Sequence, residues 1–363
     1  MMCNKGIILY IGGFQLPERN AAAQRVVGIA KGFRTLGYDV VFLNSLKDSG
    51  SLEAIEKEYF GFKCFEYKRE LDNDYLFSAK TTLSMISKIS PSIVIAYNYP
   101  AFSLDRIRKS CRKKGILCFA DTTEWYDVTG RNIVTRIVKG LDTFYRMRIV
   151  QKRLDGVIAI SRYLYDYYKD KIKTILIPPT VDIDEKKWCS SGLKRKPGTF
   201  VYAGVPSASK ECLDRIVSAI GVLSKHEKVQ LNIVGITKEQ FTKIYNWQNE
   251  IPKSVVFWGR IEHQKALKVV ECSSWSIILR KNSRMVKAGF PTKVVESISC
   301  GTPVLANSFG NIFDYLTVDN SLRIDNVNAV EVFLRLACKK TCIVDSTVFD
   351  YRNYLEELKK LLQ

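Results

Sequence analysis

Gly289-Phe290-Pro291-Thr292-Lys293-Val294-Val295-Glu296-Ser297-Ile298-Ser299-Cys300-Gly301-Thr302-Pro303-Val304 is the stretch that decides how this chain is read. Proline suits the first turn of a helix, where its missing N–H has no helical partner anyway. Gly301 closes the segment, so the spacing predicts a helix over 292–299 and a strand from Val304. A helix start exposes N–H groups and the positive end of the dipole, which together favour an anion. Lys293 adds a cation at that end. Glu296, one turn in, is a carboxylate able to accept hydrogen bonds from two vicinal hydroxyls. Pro291, Thr292, Lys293 and Glu296 therefore describe a grip for a phosphate and a ribose together. The same pattern also fits an ordinary proline-started helix with a surface Glu favoured by the dipole.

Working outward, short apolar runs alternate with amphipathic segments. Strands are predicted at Ile7–Ile11, Val40–Leu43, Ile93–Tyr97, Ile116–Ala120, Val157–Ile160 and Ile175–Ile177, with helices over Ala21–Leu36 and Leu104–Lys114. Pro178-Pro179 and the polar, basic stretch from Asp182 to Gly198 interrupt the rhythm and read as a linker. It restarts with strands at Phe200–Ala203, Leu231–Val234, Val255–Trp258, Ile277–Leu279 and Val304–Ala306, a helix over Cys212–Leu223, and a last amphipathic helix over Tyr351–Leu362. This is the βαβ pattern of parallel sheets covered by helices. The expected organisation is an N-terminal domain over 1–185, a C-terminal domain over 186–345 and a closing helix over 346–363 that packs back on the N-terminal domain.

A length of 363 residues suits two such domains, and 46% hydrophobic residues suffice for two cores. The net charge is +19, from 56 Lys and Arg against 37 Asp and Glu, which favours anionic partners. None of the 10 cysteines forms a C-x-x-C pair, and only His226 and His263 are present. Reduced thiols and no metal site are expected. Two Asp-x-Asp strings, Asp72-Asn73-Asp74 and Asp182-Ile183-Asp184, lie in a polar loop and in the linker and are read as accidental. The first apolar run ends at Ile11, too short for the core of a signal sequence, and no stretch approaches the ~18 apolar residues of a membrane span. A soluble or peripheral, cytoplasmic protein is expected.

The decisive stretch resembles the signature of retaining family 4 (group 1) glycosyltransferases, enzymes of the GT-B fold in which two Rossmann-like, doubly wound domains face a cleft. Gly289, Phe290, Glu296, Gly301, Pro303 and Val304 fit its pattern. By resemblance Glu296 holds the donor ribose. The family's first Glu falls at Ala288, and the residue it replaces contacts the transferred sugar in the family. The Gly-Phe-Pro-Thr-Lys form is similar to a variant among surface-polysaccharide transferases. In Tyr202-Ala203-Gly204-Val205-Pro206-Ser207-Ala208-Ser209-Lys210, Gly204 and Lys210 match the family's glycine after the first donor-domain strand and its lysine to the donor diphosphate. The family often carries an Arg directly after that glycine, where this chain has Val205; Arg280, Lys281 and Arg284 are placed to supply the charge. A cation there would stabilise the departing diphosphate.

In the N-terminal half, Gly12-Gly13 follows the first strand without a G-x-G-x-x-G fingerprint, which argues against a dinucleotide enzyme. It resembles the family's glycine-rich loop beside the reacting centre, with Arg19 and Arg25 near it. Asp121 and Glu124, at the end of another strand, are carboxylates expected in the cleft, with Trp125 available to stack on a sugar; a loop Asp capping the next helix is the competing explanation. Asp155–Ser161 and Ile177–Asp182 resemble further family stretches that bear on fold.

Arg131 to Arg153 carries seven basic residues and one acid, Asp142, interleaved with apolar residues at helical spacing. It reads as a basic amphipathic helix that lies in an anionic lipid interface, or as a core-packed helix with a solvated basic face. The resemblance implies a metal-independent transferase. It takes its sugar from a nucleotide-diphosphate-sugar co-substrate, with no cofactor, and passes it to a glycan or lipid-linked acceptor at the inner face of the membrane. A catalytically silent GT-B binding partner and a nucleotide-sugar epimerase are the alternatives. Nucleic-acid binding is not expected, because no such motif accompanies the charge.

Overall fold

A computed structural model of the chain describes residues 5–17, 20–47, 51, 53–69, 74–125, 133–188 and 195–363. Two compact units emerge: residues up to Val181 together with Tyr351–Gln363, and Asp182–Asp350. The divisions fall at 181/182 and 350/351, against the expected 185/186 and 345/346.

The first unit holds strands β1 (Ile7–Gly12), β2 (Asp39–Leu46), β3 (Ile55–Tyr59), β4 (Phe62–Lys68), β5 (Ile93–Tyr97), β6 (Leu117–Thr122), β7 (Gly156–Ala159) and β8 (Thr174–Leu176). They form one sheet in the order β3-β4-β2-β1-β5-β6-β7-β8. All neighbours are parallel except β3 and β4. The inner strands are largely apolar because helices cover both faces: Ile8 to Ile11 of β1 are fully buried. β3 departs from the all-parallel expectation. It is an exposed edge carrying Glu56, Lys57 and Glu58, charges that discourage pairing with another chain. It returns to β4 through Phe60-Gly61, both at positive φ, as a two-residue hairpin of the primed type requires.

Helix Ala21–Thr35 is capped by Asn20, whose side chain accepts the Ala23 N–H at 2.9 Å. The last helix, Leu355–Leu362, buries Leu358 and Leu361 in the core of this same unit. It is preceded by a 3-10 turn over Tyr351–Tyr354, so the expected single helix from Tyr351 is two elements.

The second unit holds β9 (Lys196–Ala203), β10 (Gln230–Val234), β11 (Val255–Gly259), β12 (Ser273–Ile278), β13 (Val304–Asn307) and β14 (Ser321–Ile324), all parallel in the order β11-β10-β9-β12-β13-β14. The expected linker ends early, because Lys196 already belongs to β9 and pairs with Ser273. The helix over Thr292–Ser299 has the bounds its capping signals predict. Phe200, Leu231, Ile277, Ile216 and Leu334 meet in a core built from sheet and helices.

Candidate active site

In open parallel sheets ligands bind outside the carboxyl ends of the strands where the strand order reverses. In the second unit the chain builds outward from β9 to β10 and β11 on one side and to β12, β13 and β14 on the other. The reversal therefore lies between the ends of β9 and β12, which carry Gly204 and Arg280.

Gly204 has φ +126°, which a side chain would strain, and a Cβ there would stand 2.7 Å from Cε of Lys293. The loop after it is strapped to the segment after β12: the Lys281 N–H donates to the Lys210 carbonyl and the Cys212 N–H to the Leu279 carbonyl, at 2.8 and 2.9 Å. This strap aims the buried side chain of Glu211 at Arg280. Glu211 Oε1 accepts from Arg280 Nη2 at 3.0 Å and from Lys293 Nζ at 3.4 Å, while Oε2 accepts the Ser207 N–H at 3.0 Å. Asn307 on β13 locks the Arg280 backbone, accepting its N–H and donating to its carbonyl, both at 2.9 Å.

The electrostatics follow from burial. Burial pushes the Glu211 carboxyl up, but Lys293 and Arg280 outweigh it and hold the group below the usual glutamate value. Burial pushes the Lys293 ammonium down to about 8 against the pull of Glu211, with Arg280 adding to the depression. Lys293 also lies 4.7 Å from the centroid of the Tyr202 ring.

Glu296 stands on the same helix one turn beyond, and its Oε1 meets Nε2 of His263 at 3.2 Å. Pro291 precedes the helix with no side-chain cap, and Thr292 is its first residue. Phe290 packs edge-on against Tyr315 and Phe349, which anchors the turn before the helix. Ala288 is fully buried, so no side chain reaches out from the position of the family's first Glu. The Lys210 side chain is half-buried, and among the described residues no hydrogen bond or ion pair engages its ammonium. Lys281 and Arg284 are exposed. Arg280, Lys293, Glu296 and Gly204 are thus brought to one sheet edge. Glu211 and His263, which join them, carry no signal of this role in the sequence: Glu211 follows Lys210 directly, but only the strap shows that it faces Arg280.

The N-terminal candidates separate. Gly12 ends β1 at the reversal point of the first sheet, where its carbonyl accepts the Ser45 hydroxyl at 3.1 Å; Gly13 follows against the Arg69 guanidinium. Asp121 is not the cleft carboxylate expected. It is completely buried, takes three hydrogen bonds from the equally buried Arg25 at 2.6–3.0 Å and accepts the Tyr10 hydroxyl at 2.5 Å. Arg25 spends its remaining arm on the Ile177 carbonyl at 2.9 Å, so it is no phosphate cation. Glu124 is half-buried. Trp125 is packed against Tyr163 and Tyr167, with centroids 6.1 and 4.9 Å away, and is not presented for stacking. Arg19 lies outside the described residues.

Of the Asp-x-Asp strings, Asp72 and Asn73 lie outside the described residues. Asp74 accepts the Thr81 N–H at 3.1 Å and the Ser78 hydroxyl at 2.7 Å, so it caps a helix. Asp182 accepts the Asp184 N–H at 3.3 Å within a turn. Among the described residues no three His, Cys, Asp or Glu side chains gather as a metal set, and the eight of the ten cysteines that are described are free thiols.

Residues 185–327 match the family described as glycosyl transferases group 1. The whole chain resembles solved GT-B structures. Sucrose-phosphate synthase from Thermosynechococcus elongatus is 13% identical with a TM-score of 0.66, covering 99% of this chain and 98% of that one. HepE of Anabaena, in complex with UDP and glucose, is 12% identical with a TM-score of 0.63, covering 98% and 99%. The lipopolysaccharide outer core galactosyltransferase WaaB is 14% identical with a TM-score of 0.63, also covering 98% and 99%. A comparison with the curated proteins found no significant match. The fold is GT-B, two parallel-sheet α/β domains.

Proposed function

We propose that the chain is a retaining, metal-independent glycosyltransferase that moves a sugar from a nucleotide-sugar donor to a glycan or lipid-linked glycan acceptor in surface polysaccharide synthesis. The observation that carries the reading is the meeting of Arg280, Lys293 and Glu296 at the strand-order reversal of the second unit, inside the segment that matches group 1 glycosyl transferases. Two cations suit a diphosphate, and a carboxylate one helical turn away suits the vicinal hydroxyls of a ribose. HepE, solved in complex with UDP and glucose, and WaaB, a galactosyltransferase, agree in chemistry. Retention comes from the family resemblance: attack on the face the diphosphate leaves, with the protein acting by positioning and charge.

The test is a panel of UDP-, GDP- and TDP-sugars. A transferase is stabilised by one of them and slowly releases its nucleoside diphosphate. A silent binding partner is stabilised without release. An epimerase returns a changed nucleotide-sugar.

A membrane-surface acceptor has its own support. Helix Ile133–Tyr145 turns its apolar side chains outward: Ile133 is 73% exposed and Leu141 62%, and Ile137, Val138 and Phe144 are exposed as well. At 100° per residue these five span one face, bordered by Arg136 and Lys139. Exposed Phe102 and Phe77 continue the apolar surface, Phe102 touching both Tyr145 and Phe77. The core-packed alternative would have buried that face. No helix among the described residues is long and apolar enough to cross a membrane; the exposed apolar face suits a peripheral contact, and the family resemblance puts it at the inner, cytoplasmic face. Arg146, expected among the lipid-facing cations, is 1% exposed and donates to the Asn98 carbonyl. Asp142, the lone acid, accepts the Ala101 N–H at 2.8 Å and so starts the neighbouring helix.

A further inference from the structure

We propose that Glu211 is the positioning residue of the diphosphate site: it holds Arg280 and Lys293 together as one anion-receiving pair, and Lys293 takes up a proton from solvent when a diphosphate binds. The inference rests on the donor reading above and deepens it. Three observations converge. A single carboxylate oxygen accepts from both cations, and its partner oxygen is tied to the Ser207 N–H, so the carboxylate cannot turn away without losing all three bonds. Arg280 Nε is buried and makes no hydrogen bond among the described residues, a donor that an anion's oxygen would satisfy. Val205 is exposed where the resembling family carries its arginine, so the missing charge has to come from elsewhere, and Arg280 and Lys293 are the cations gathered there.

The proton follows from the surroundings of Lys293. Facing it are Glu211 from the strapped loop, Arg280 from the end of β12, the neutral Tyr202 phenol from β9 and, on its own helix, Glu296, itself bonded to His263. Burial drives the pKa of the ammonium down, and one carboxylate shared with Arg280 offsets this only in part, so it falls to about 8. A diphosphate adds negative charge and raises it again. Above about pH 8 the free site is mostly neutral at Lys293 and the bound site charged; well below that both are charged.

The experiment is calorimetric titration of the full chain with UDP and, separately, inorganic pyrophosphate, in two buffers of different ionisation enthalpy, at about pH 6.5, 7.5 and 8.5. Expected with UDP, whose phosphates are already fully ionised at the highest pH, is an uptake that rises there to a substantial fraction of one proton. Lys293→Met should abolish the uptake. Glu211→Gln should move it to lower pH and weaken both probes by about tenfold or more, with an unfolding scan confirming that it folds. If that variant does not fold, the comparison of wild type with Lys293→Met decides alone. Binding without uptake at the highest pH, uptake that persists in Lys293→Met, or failure of both probes to bind overturns the proposal. Pyrophosphate binding with uptake but no UDP binding upholds the cation pair and removes the nucleotide reading.

Discussion

On the proposed reading Glu296 acts on a ligand and not on the fold: among the described residues its carboxylate hydrogen-bonds only the His263 ring, at 3.2 Å, and it is 19% exposed. A ribose held there would be lost with the side chain. Each charge-assisted bond is worth about 1.5–3 kcal/mol, so Glu296→Ala should lower kcat/KM for the donor by roughly tenfold to a hundredfold or more with an unchanged melting temperature; wild-type donor kinetics would remove the assignment. Asp121 carries the opposite signature. Removing one partner of a buried pair leaves an uncompensated charge, so Asp121→Ala should cost about 3–5 kcal/mol in urea unfolding; loss of activity at full stability would restore it as a site residue. Glu211 gives a pH-dependent term. Its folded pKa lies below the unfolded one, so its contribution is present above about pH 4.3 and is lost as the pH falls through the folded value. The stability difference between wild type and Glu211→Gln should therefore shrink on acidification from neutral pH; a constant difference would mean that the carboxylate's charge does not matter.

At the scale of elements, the helix Ile133–Tyr145 carries the membrane prediction. The protein should pellet with anionic vesicles at low salt and release at high salt, since each cation near such a surface is worth about 1 kcal/mol and is screened. Arg136, Lys139 and Arg148 changed together to Gln should abolish pelleting while the fold is kept; Arg146 is left alone because it is buried. A wild type that never pellets leaves the helix without a lipid role. The last helix makes a different demand. A Cβ on Gly32 would come within 2.5 Å of Leu358 Cδ1, so Gly32→Ala should cost about 1–3 kcal/mol by overpacking, read as a lowered urea midpoint; an unchanged midpoint would mean the helix shifts freely.

The elements legible in advance were those whose residues are uniformly apolar or plainly capped, such as β1, β5 and the helix after Pro291. β3 was not, because an edge strand reading Ile-Glu-Lys-Glu-Tyr has no buried face to show, and its hairpin turns on Phe-Gly in place of the usual Asn-Gly. β14, Ser-Leu-Arg-Ile at the other sheet's edge, hid because Ile324 is its one fully buried apolar residue, too few for a pattern. In the site, Lys293 and Glu296 could be read because they share one helix, and Arg280 because it flanks it. Glu211 faces them only through a strap between two loops 69 residues apart, and the burial of Asp121 against Arg25 is not legible because the position of a strand end does not say which way its side chain is buried.

For the molecule as a whole, the +19 charge has two outlets in this account: anionic donor and anionic surface. If the diphosphate is met by side-chain cations as proposed, EDTA should leave donor turnover nearly unchanged; abolition by EDTA with recovery on adding manganese would show that the charge balance is wrong. The most direct measurement follows turnover itself. Wild-type protein is incubated with whichever α-linked nucleotide-sugar raises its melting temperature most, and the released sugar is observed by proton NMR before it mutarotates. The account predicts release of nucleoside diphosphate together with a sugar that first appears as the α anomer; a sugar that first appears as the β anomer, or a donor that binds and is never cleaved, would contradict it.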